Sequence, residues 1–250
     1  MCRHIAYLGP VRSPAETLFE APHSLCEQAY APADMRGSGT VNVDGFGLGW
    51  FPRGDARPRR YRRACPIWAD DHLPELAADV RTGAYLAAVR AGTPGMPVTD
   101  AACAPFTGEG WLFSHNGVVQ GWPDSMAALA GTLDVAELLR FEAPTDSVLL
   151  WALLRARLRA GEKPLEAISG LVVDVARAAP GSRLNLLLTD GEEIVATAWR
   201  HALSVRESAG AVLVASEPCD SEPGWRPVPD GHAVRAHAGH VALTTVPTES

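Results

Sequence analysis

The chain has 250 residues, 47% of them apolar and 20% charged, with a formal net charge of −7. That length and apolar share suit one sizeable core, read here as a single domain over residues 1–250. The acidic balance argues against a nucleic-acid or anionic-membrane partner, and no apolar run approaches the roughly 20 residues that cross a bilayer.

The first residues set the chemistry. Cys2 is followed by Arg3-His4-Ile5-Ala6-Tyr7-Leu8, an apolar run of strand character that is unlike a secretory leader. Removal of Met1 would leave Cys2 with a thiol and an α-amine whose unperturbed pKa is about 8, a nucleophile that carries its own base. The five cysteines (Cys2, Cys26, Cys65, Cys103, Cys219) are widely spaced and never form a CxxC pair. This spacing predicts a reducing, cytoplasmic setting rather than a disulfide framework or a zinc knuckle.

Beyond the first strand, Ser13-Pro14-Ala15-Glu16 reads as a helix start, with Ser13 as N-cap and Glu16 closing a capping box. A short helix is predicted over His23 to Tyr30, and a Pro/Gly loop over Ala31 to Thr40. In Val41 to Phe51, Gly45, Gly47 and Gly49 alternate. Alternation of that kind predicts another backbone, or a ligand, lying close against one face of a strand. Six arginines between Arg53 and Arg63 read as a solvated edge strand, where charge discourages sheet-to-sheet pairing.

Asp70 to Val80 has helical periodicity, and Thr82 to Val89 is a buried strand that ends in Arg90-Ala91-Gly92-Thr93-Pro94-Gly95. An arginine at that point can hold a carboxylate with its bidentate fork. Trp111-Leu112-Phe113 predicts a strand that breaks in a turn at Ser114-His115-Asn116-Gly117 and resumes at Val118-Val119. An Asn amide beside a Gly N–H is also a candidate oxyanion hole. Helices are predicted over 124–130, 135–141, 145–160 and 164–179, with Asp146 in a first turn where the helix dipole favours a carboxylate. Strands follow over 184–188, 194–199, 203–205, 212–215, 232–236 and 241–246. The order strands, helices, strands is α+β, compatible with two stacked sheets covered by helices.

Taken in order, Cys2, Arg90-Ala91-Gly92-Thr93, His115-Asn116-Gly117, Thr145-Asp146 and Ala215-Ser216-Glu217-Pro218 resemble the glutaminase domain of class II glutamine amidotransferases, which are N-terminal-nucleophile hydrolases. The resemblance implies a four-layer αββα sandwich of two antiparallel sheets between helices. It implies Cys2 as nucleophile toward a γ-glutamyl amide, with Asn116 and the Gly117 N–H stabilising the oxyanion. It further assigns Arg90 and Thr93 to the glutamyl α-carboxylate and Asp146 to the α-ammonium, with His115 beside them. The family's usual Arg-Trp-Ala-Thr-His is here Arg-Ala-Gly-Thr-Pro, so the pocket beside the carboxylate has a different shape.

The opening Cys2 to Gly9 is similar to a stand-alone amidohydrolase branch whose substrate is a γ-glutamyl conjugate with a trimethylated ammonium in the leaving half. Aromatic faces suit such a cation, which draws attention to Trp50, Phe51, Trp122 and Trp225. A glutaminase subunit feeding ammonia to a separate synthase, and a non-catalytic binding protein, are the alternatives. Asp70, Asp71 and His72 with His232, His237 and His240 lack the spacing of a metal hydrolase. The expected ligand is a small-molecule γ-glutamyl substrate, with no metal or cofactor.

Overall fold

The computed structural model describes residues 2–34, 36, 41–208 and 210–247. In chain order its first half contains β1 (Arg3–Arg12), α1 (Leu25–Gln28), β2 (Phe46–Trp50), β3 (Arg59–Arg63), α2 (Leu73–Asp79), β4 (Thr82–Val89), β5 (Phe106–Gly108) and β6 (Trp111–Val118). Then come the helices α3 (Ala127–Ala130), α4 (Val135–Leu138), α5 (Asp146–Arg159) and α6 (Pro164–Ala178). The last part is β7 (Arg183–Thr189), β8 (Ile194–Ala198), β9 (Ser204–Ser208), β10 (Ala211–Ala215), β11 (Trp225–Pro227), β12 (His232–His237) and β13 (His240–Thr245).

The strands form two antiparallel sheets, ordered β11-β9-β10-β1-β4-β2-β3 and β13-β12-β8-β7-β6-β5. Strand periodicity sorts their side chains into three apolar layers. Ala6, Leu8, Leu86 and Val214 of the first sheet meet Leu112, Leu187, Ala196 and Val234 of the second. The opposite face of the first sheet, with Ile5, Tyr7 and Leu48, packs against Leu25 of α1 and Leu73 and Ala77 of α2. The outer face of the second sheet, with Phe113, Leu184 and Leu186, packs against α5 and α6. The result is the four-layer αββα sandwich.

Two local expectations are corrected, and a third gains a detail. Asn116-Gly117 is no turn: β6 runs straight through it, with Asn116 opposite Asn185 and Gly117 opposite Leu184 of β7. A long-range ladder has overridden the local turn signal. The glycine is needed for space, since a Cβ at Gly117 would lie 1.9 Å from the Arg183 carbonyl oxygen. Glu16 does not close a capping box: residues Glu16–Glu20 form one short π-type turn without a side-chain cap, and Glu16 pairs with Arg12. The arginine-rich strand is an edge strand, yet Arg60 and Arg62 both reach Glu142, at 3.0 and 2.8 Å.

The alternating glycines do mark a close approach. A Cβ at Gly47 would lie 2.3 Å from the Ala104 carbonyl oxygen, and one at Gly49 would lie 2.7 Å from Leu112. The 103–105 segment thus lies directly on β2. The topology gathers the termini of five strands at one end of the first sheet: the starts of β1, β2 and β9, and the ends of β4 and β10.

Candidate active site

Cys2 sits just ahead of β1. Because Arg3 pairs with Val89 across the ladder, Arg90 emerges beside Cys2. The Cys2 Sγ lies 3.8 Å from the Ala91 carbonyl oxygen. A cavity of about 30 Å³ opens here, lined among others by Cys2, Arg90, Phe106, Ser114, His115 and Ser147.

Arg90 is held by its backbone, which donates to the Gly45 carbonyl and accepts from the Asp44 N–H. Asp44 also accepts the Gly92 N–H at 2.7 Å, folding the 90–92 turn inward. Arg90 is only 9% exposed, and both terminal nitrogens of its guanidinium are buried without a hydrogen-bond partner among the described residues. A buried cation without a partner is costly unless something anionic completes it. Gly92 leaves room for it: a Cβ there would stand 3.2 Å from one guanidinium nitrogen. Thr93, expected to help, lies on the exposed part of the loop and does not line the cavity.

Across the cavity, Thr145 caps α5 by accepting the Val148 N–H, which puts Asp146 and Ser147 at the helix start. The buried Asp146 carboxylate accepts the Val119 N–H at 3.2 Å and the Ser147 N–H at 2.7 Å. The His115 ring is fixed from both sides, with Nδ1 3.0 Å from the Ser147 hydroxyl and Nε2 3.0 Å from the Arg183 carbonyl oxygen. Donation to that carbonyl makes Nε2 the protonated nitrogen, so Nδ1 accepts from Ser147.

Asn116 is fully buried, with Nδ2 3.0 Å from the Ser216 hydroxyl oxygen. Ser216 belongs to a segment that also grips the first residues of the chain. Its Oγ accepts the His4 N–H at 2.9 Å. Glu217 accepts from Arg3 Nε at 2.9 Å, and Arg3 in turn donates to the Cys2 carbonyl at 3.0 Å. Burial pushes His4 down to about 3, so it stays neutral at physiological pH. Burial pushes the Cys103 thiol up to about 11, although Arg90 and Arg62 pull the other way; that neighbour therefore remains a thiol.

Of the residues singled out from sequence, Cys2, Arg90 and His115 line the cavity; Asn116 and Gly117 follow His115 in β6, and Asp146 precedes the lining Ser147, without lining it themselves. The aromatic set is not brought together. Trp50 and Trp225 pack into the layer outside the first sheet, Trp122 into the layer outside the second, and none of them lines the cavity. The Asp70 cluster serves α2 instead, Asp70 accepting the His72 and Leu73 N–H groups and the Tyr61 hydroxyl. Asp44 and Glu217 were missed as site supports; only Asp-Gly and the strand end before Pro218 hinted at them.

A sandwich of this kind, with a cysteine at the head of its central strand facing a buried arginine, defines an amidotransferase-type hydrolase. The class II glutamine amidotransferase family model matches residues 17–209, and the chain belongs to that family. It is 37% identical to the gamma-glutamyl-hercynylcysteine sulfoxide hydrolase of Mycolicibacterium smegmatis, over 98% of this chain and 99% of that protein. Identity to the enzyme of that name from Mycobacterium tuberculosis is also 37%, over 98% of this chain and 97% of the relative. Among solved structures, a class-II glutamine aminotransferase domain protein from Silicibacter pomeroyi superposes with a TM-score of 0.70 at 23% identity, covering 98% of this chain and 100% of that one. Glutamine phosphoribosylpyrophosphate amidotransferase from B. subtilis superposes with a TM-score of 0.70 at 16% identity, covering 99% of this chain and 50% of its own. These two show the shared fold.

Proposed function

We propose that this protein hydrolyses gamma-glutamyl-hercynylcysteine sulfoxide, a step of ergothioneine biosynthesis, releasing glutamate through a thioester on Cys2. With Met1 removed, the α-amine takes the thiol proton and the sulfur attacks the γ-carbonyl carbon. The C–N bond breaks, the amine leaves with that proton, and water then cleaves the thioester to restore the thiol. Asn116 and the Gly117 N–H hold the oxyanion, a contribution of about 3–4 kcal/mol per donor. Arg90 grips the glutamyl α-carboxylate. Asp146, which has acceptor capacity left after its two backbone donors, takes the α-ammonium. A head held at both charges fixes the γ-carbon at Cys2.

The observation that carries this reading is the unpartnered, buried Arg90 guanidinium beside Cys2. Full-length similarity to two hydrolases of that name supports the substrate. The chain has no helix among the described residues long and apolar enough to cross a membrane, and the proposed setting is the cytoplasm.

The test compares kcat/KM for the sulfoxide conjugate and for glutamine, identifying what leaves with glutamate. Faster release from the conjugate, abolished in Cys2→Ala, is the expected result. Equal or better glutamine turnover with ammonia as co-product selects the glutaminase-subunit reading instead. Full activity in protein whose intact mass retains Met1 would remove the amine from the mechanism.

A further inference from the structure

We infer that Ser216 is a positioning residue that fixes the Asn116 side-chain amide with its NH2 group directed to the substrate oxyanion. The inference rests on the hydrolase reading above and deepens it. It comes from counting protons around one hydroxyl. Ser216 Oγ already accepts the His4 N–H at 2.9 Å. The His4 carbonyl oxygen already accepts the Ser216 N–H at 2.9 Å and lies 3.3 Å from the Ser216 hydroxyl. The Ser216 hydroxyl can donate to that carbonyl at 3.3 Å, but the oxygen already holds one donor and the Asn116 amide is nearer, at 3.0 Å.

Asn116 supplies the better acceptor. Its amide end facing Ser216 is 3.0 Å from Oγ, and Oδ1, at the other end, has no partner among the described residues although the residue is fully buried. A buried carbonyl oxygen left alone costs about 1–3 kcal/mol. Oxygen and nitrogen of a side-chain amide occupy interchangeable positions, and the hydrogen-bond network decides between them. Exchanging them gives the Ser216 proton a good acceptor in Oδ1 and turns the NH2 to the end that has no protein partner, so its N–H bonds are satisfied only when a ligand acceptor arrives.

The arrangement is then a directed chain: His4 N–H to Ser216 Oγ, Ser216 O–H to Asn116 Oδ1, and Asn116 NH2 to the substrate oxygen. Donation into Oδ1 polarises the amide and strengthens its N–H donors, as in other hydrogen-bond chains. The chain also crosses the sandwich. His4 lies in the central strand of the first sheet, Ser216 just past the end of β10 beside it, and Asn116 in β6 of the second sheet, so one hydroxyl ties the nucleophile's strand to the oxyanion donor.

The experiment uses the full chain with Ser216→Ala and Ser216→Thr, which keeps a hydroxyl. Three readouts are taken: steady-state turnover of the γ-glutamyl conjugate, inhibition by the γ-aldehyde of glutamate, and the rate of Cys2 alkylation by iodoacetamide. The aldehyde forms a tetrahedral adduct that needs the oxyanion donors, whereas alkylation does not. Ser216→Ala is expected to lower kcat about 10- to 100-fold and weaken the aldehyde by a similar factor, with KM and alkylation rate within about threefold of the parent. Ser216→Thr is expected to recover most of the loss. Normal turnover and aldehyde affinity in Ser216→Ala would overturn the inference. So would a parallel fall in alkylation rate, which would make Ser216 a support for Cys2 rather than for Asn116. A parent enzyme that releases no glutamate from any γ-glutamyl amide would instead refute the hydrolase reading itself.

Discussion

Replacing Arg90 by methionine should separate activity from stability. The two free guanidinium ends are each able to make a charge-assisted hydrogen bond to a carboxylate, worth about 1.5–3 kcal/mol. Losing both removes about 3–6 kcal/mol of transition-state binding, which is roughly a 150- to 25,000-fold fall in kcat/KM. Folding has little to lose. The Arg90 side chain makes no hydrogen bond within the described residues, and methionine fills a similar volume without a buried, unpaired charge. Arg90→Met should therefore melt within about 4 °C of the parent or above it, since roughly 1 kcal/mol shifts Tm by 2–4 °C at this size. Glutamate supplies a second check. At one hundred times its Kd a ligand adds about 2.7 kcal/mol to stability, so glutamate should raise the parent's Tm and leave that of Arg90→Met unchanged. Turnover near the parent's, combined with a large fall in Tm, would show that Arg90 is a structural cation and that the glutamyl carboxylate is held elsewhere.

Two further outcomes follow from the geometry. Gly117→Ala should destabilise the fold by on the order of 3 kcal/mol in chemical denaturation, because its Cβ would lie 1.9 Å from the Arg183 carbonyl and 2.6 Å from His115 Nε2; a change below about 1 kcal/mol would mean that β6 and β7 shift apart freely. Stability should also fall in mild acid. Burial holds His4 and His201 down to about 3 in the folded state, against about 6.5 unfolded, so the unfolded chain binds more protons between those values. The contribution of their neutral forms is complete above about pH 6.5 and is lost as pH falls toward 3, at up to about 1.4 kcal/mol per unit for each histidine. Denaturation midpoints measured from pH 8 to pH 4 should show this slope, and its absence in His201→Asn should be partial.

Much of the fold was legible because it rests on periodicity. Thr82 to Val89, the helices after residue 145 and most of the closing strands lie within a residue or two of their expected places, although β9 runs three residues past 205 and β11 was not foreseen. Their apolar spacing is a local property, and burying it requires little beyond the right layer. The alternating glycines were also correctly read, since a missing side chain at every second position has few uses other than a close approach.

The site divides differently. Sequence alone determined which residue types could do the chemistry: a cysteine near the start, an arginine closing a strand, an Asn-Gly pair and an aspartate opening a helix. It could not say that Asn116-Gly117 lies in mid-strand, because the ladder partner is Asn185-Leu184, far along the chain, and local turn preference is worth less than a buried ladder. Nor could it say which layer the aromatic residues near these motifs would join. Trp50 and Trp122 flank the right motifs in sequence, but strand alternation turns Trp50 to the outer layer while Gly47 and Gly49 face the second sheet. Tertiary structure alone decided that Arg90 is buried without an internal partner, and that Ser216 and Glu217 hold the first residues of the chain. Hydrogen-bond satisfaction and desolvation depend on atoms brought together from opposite ends of the chain, and no spacing along the sequence encodes them.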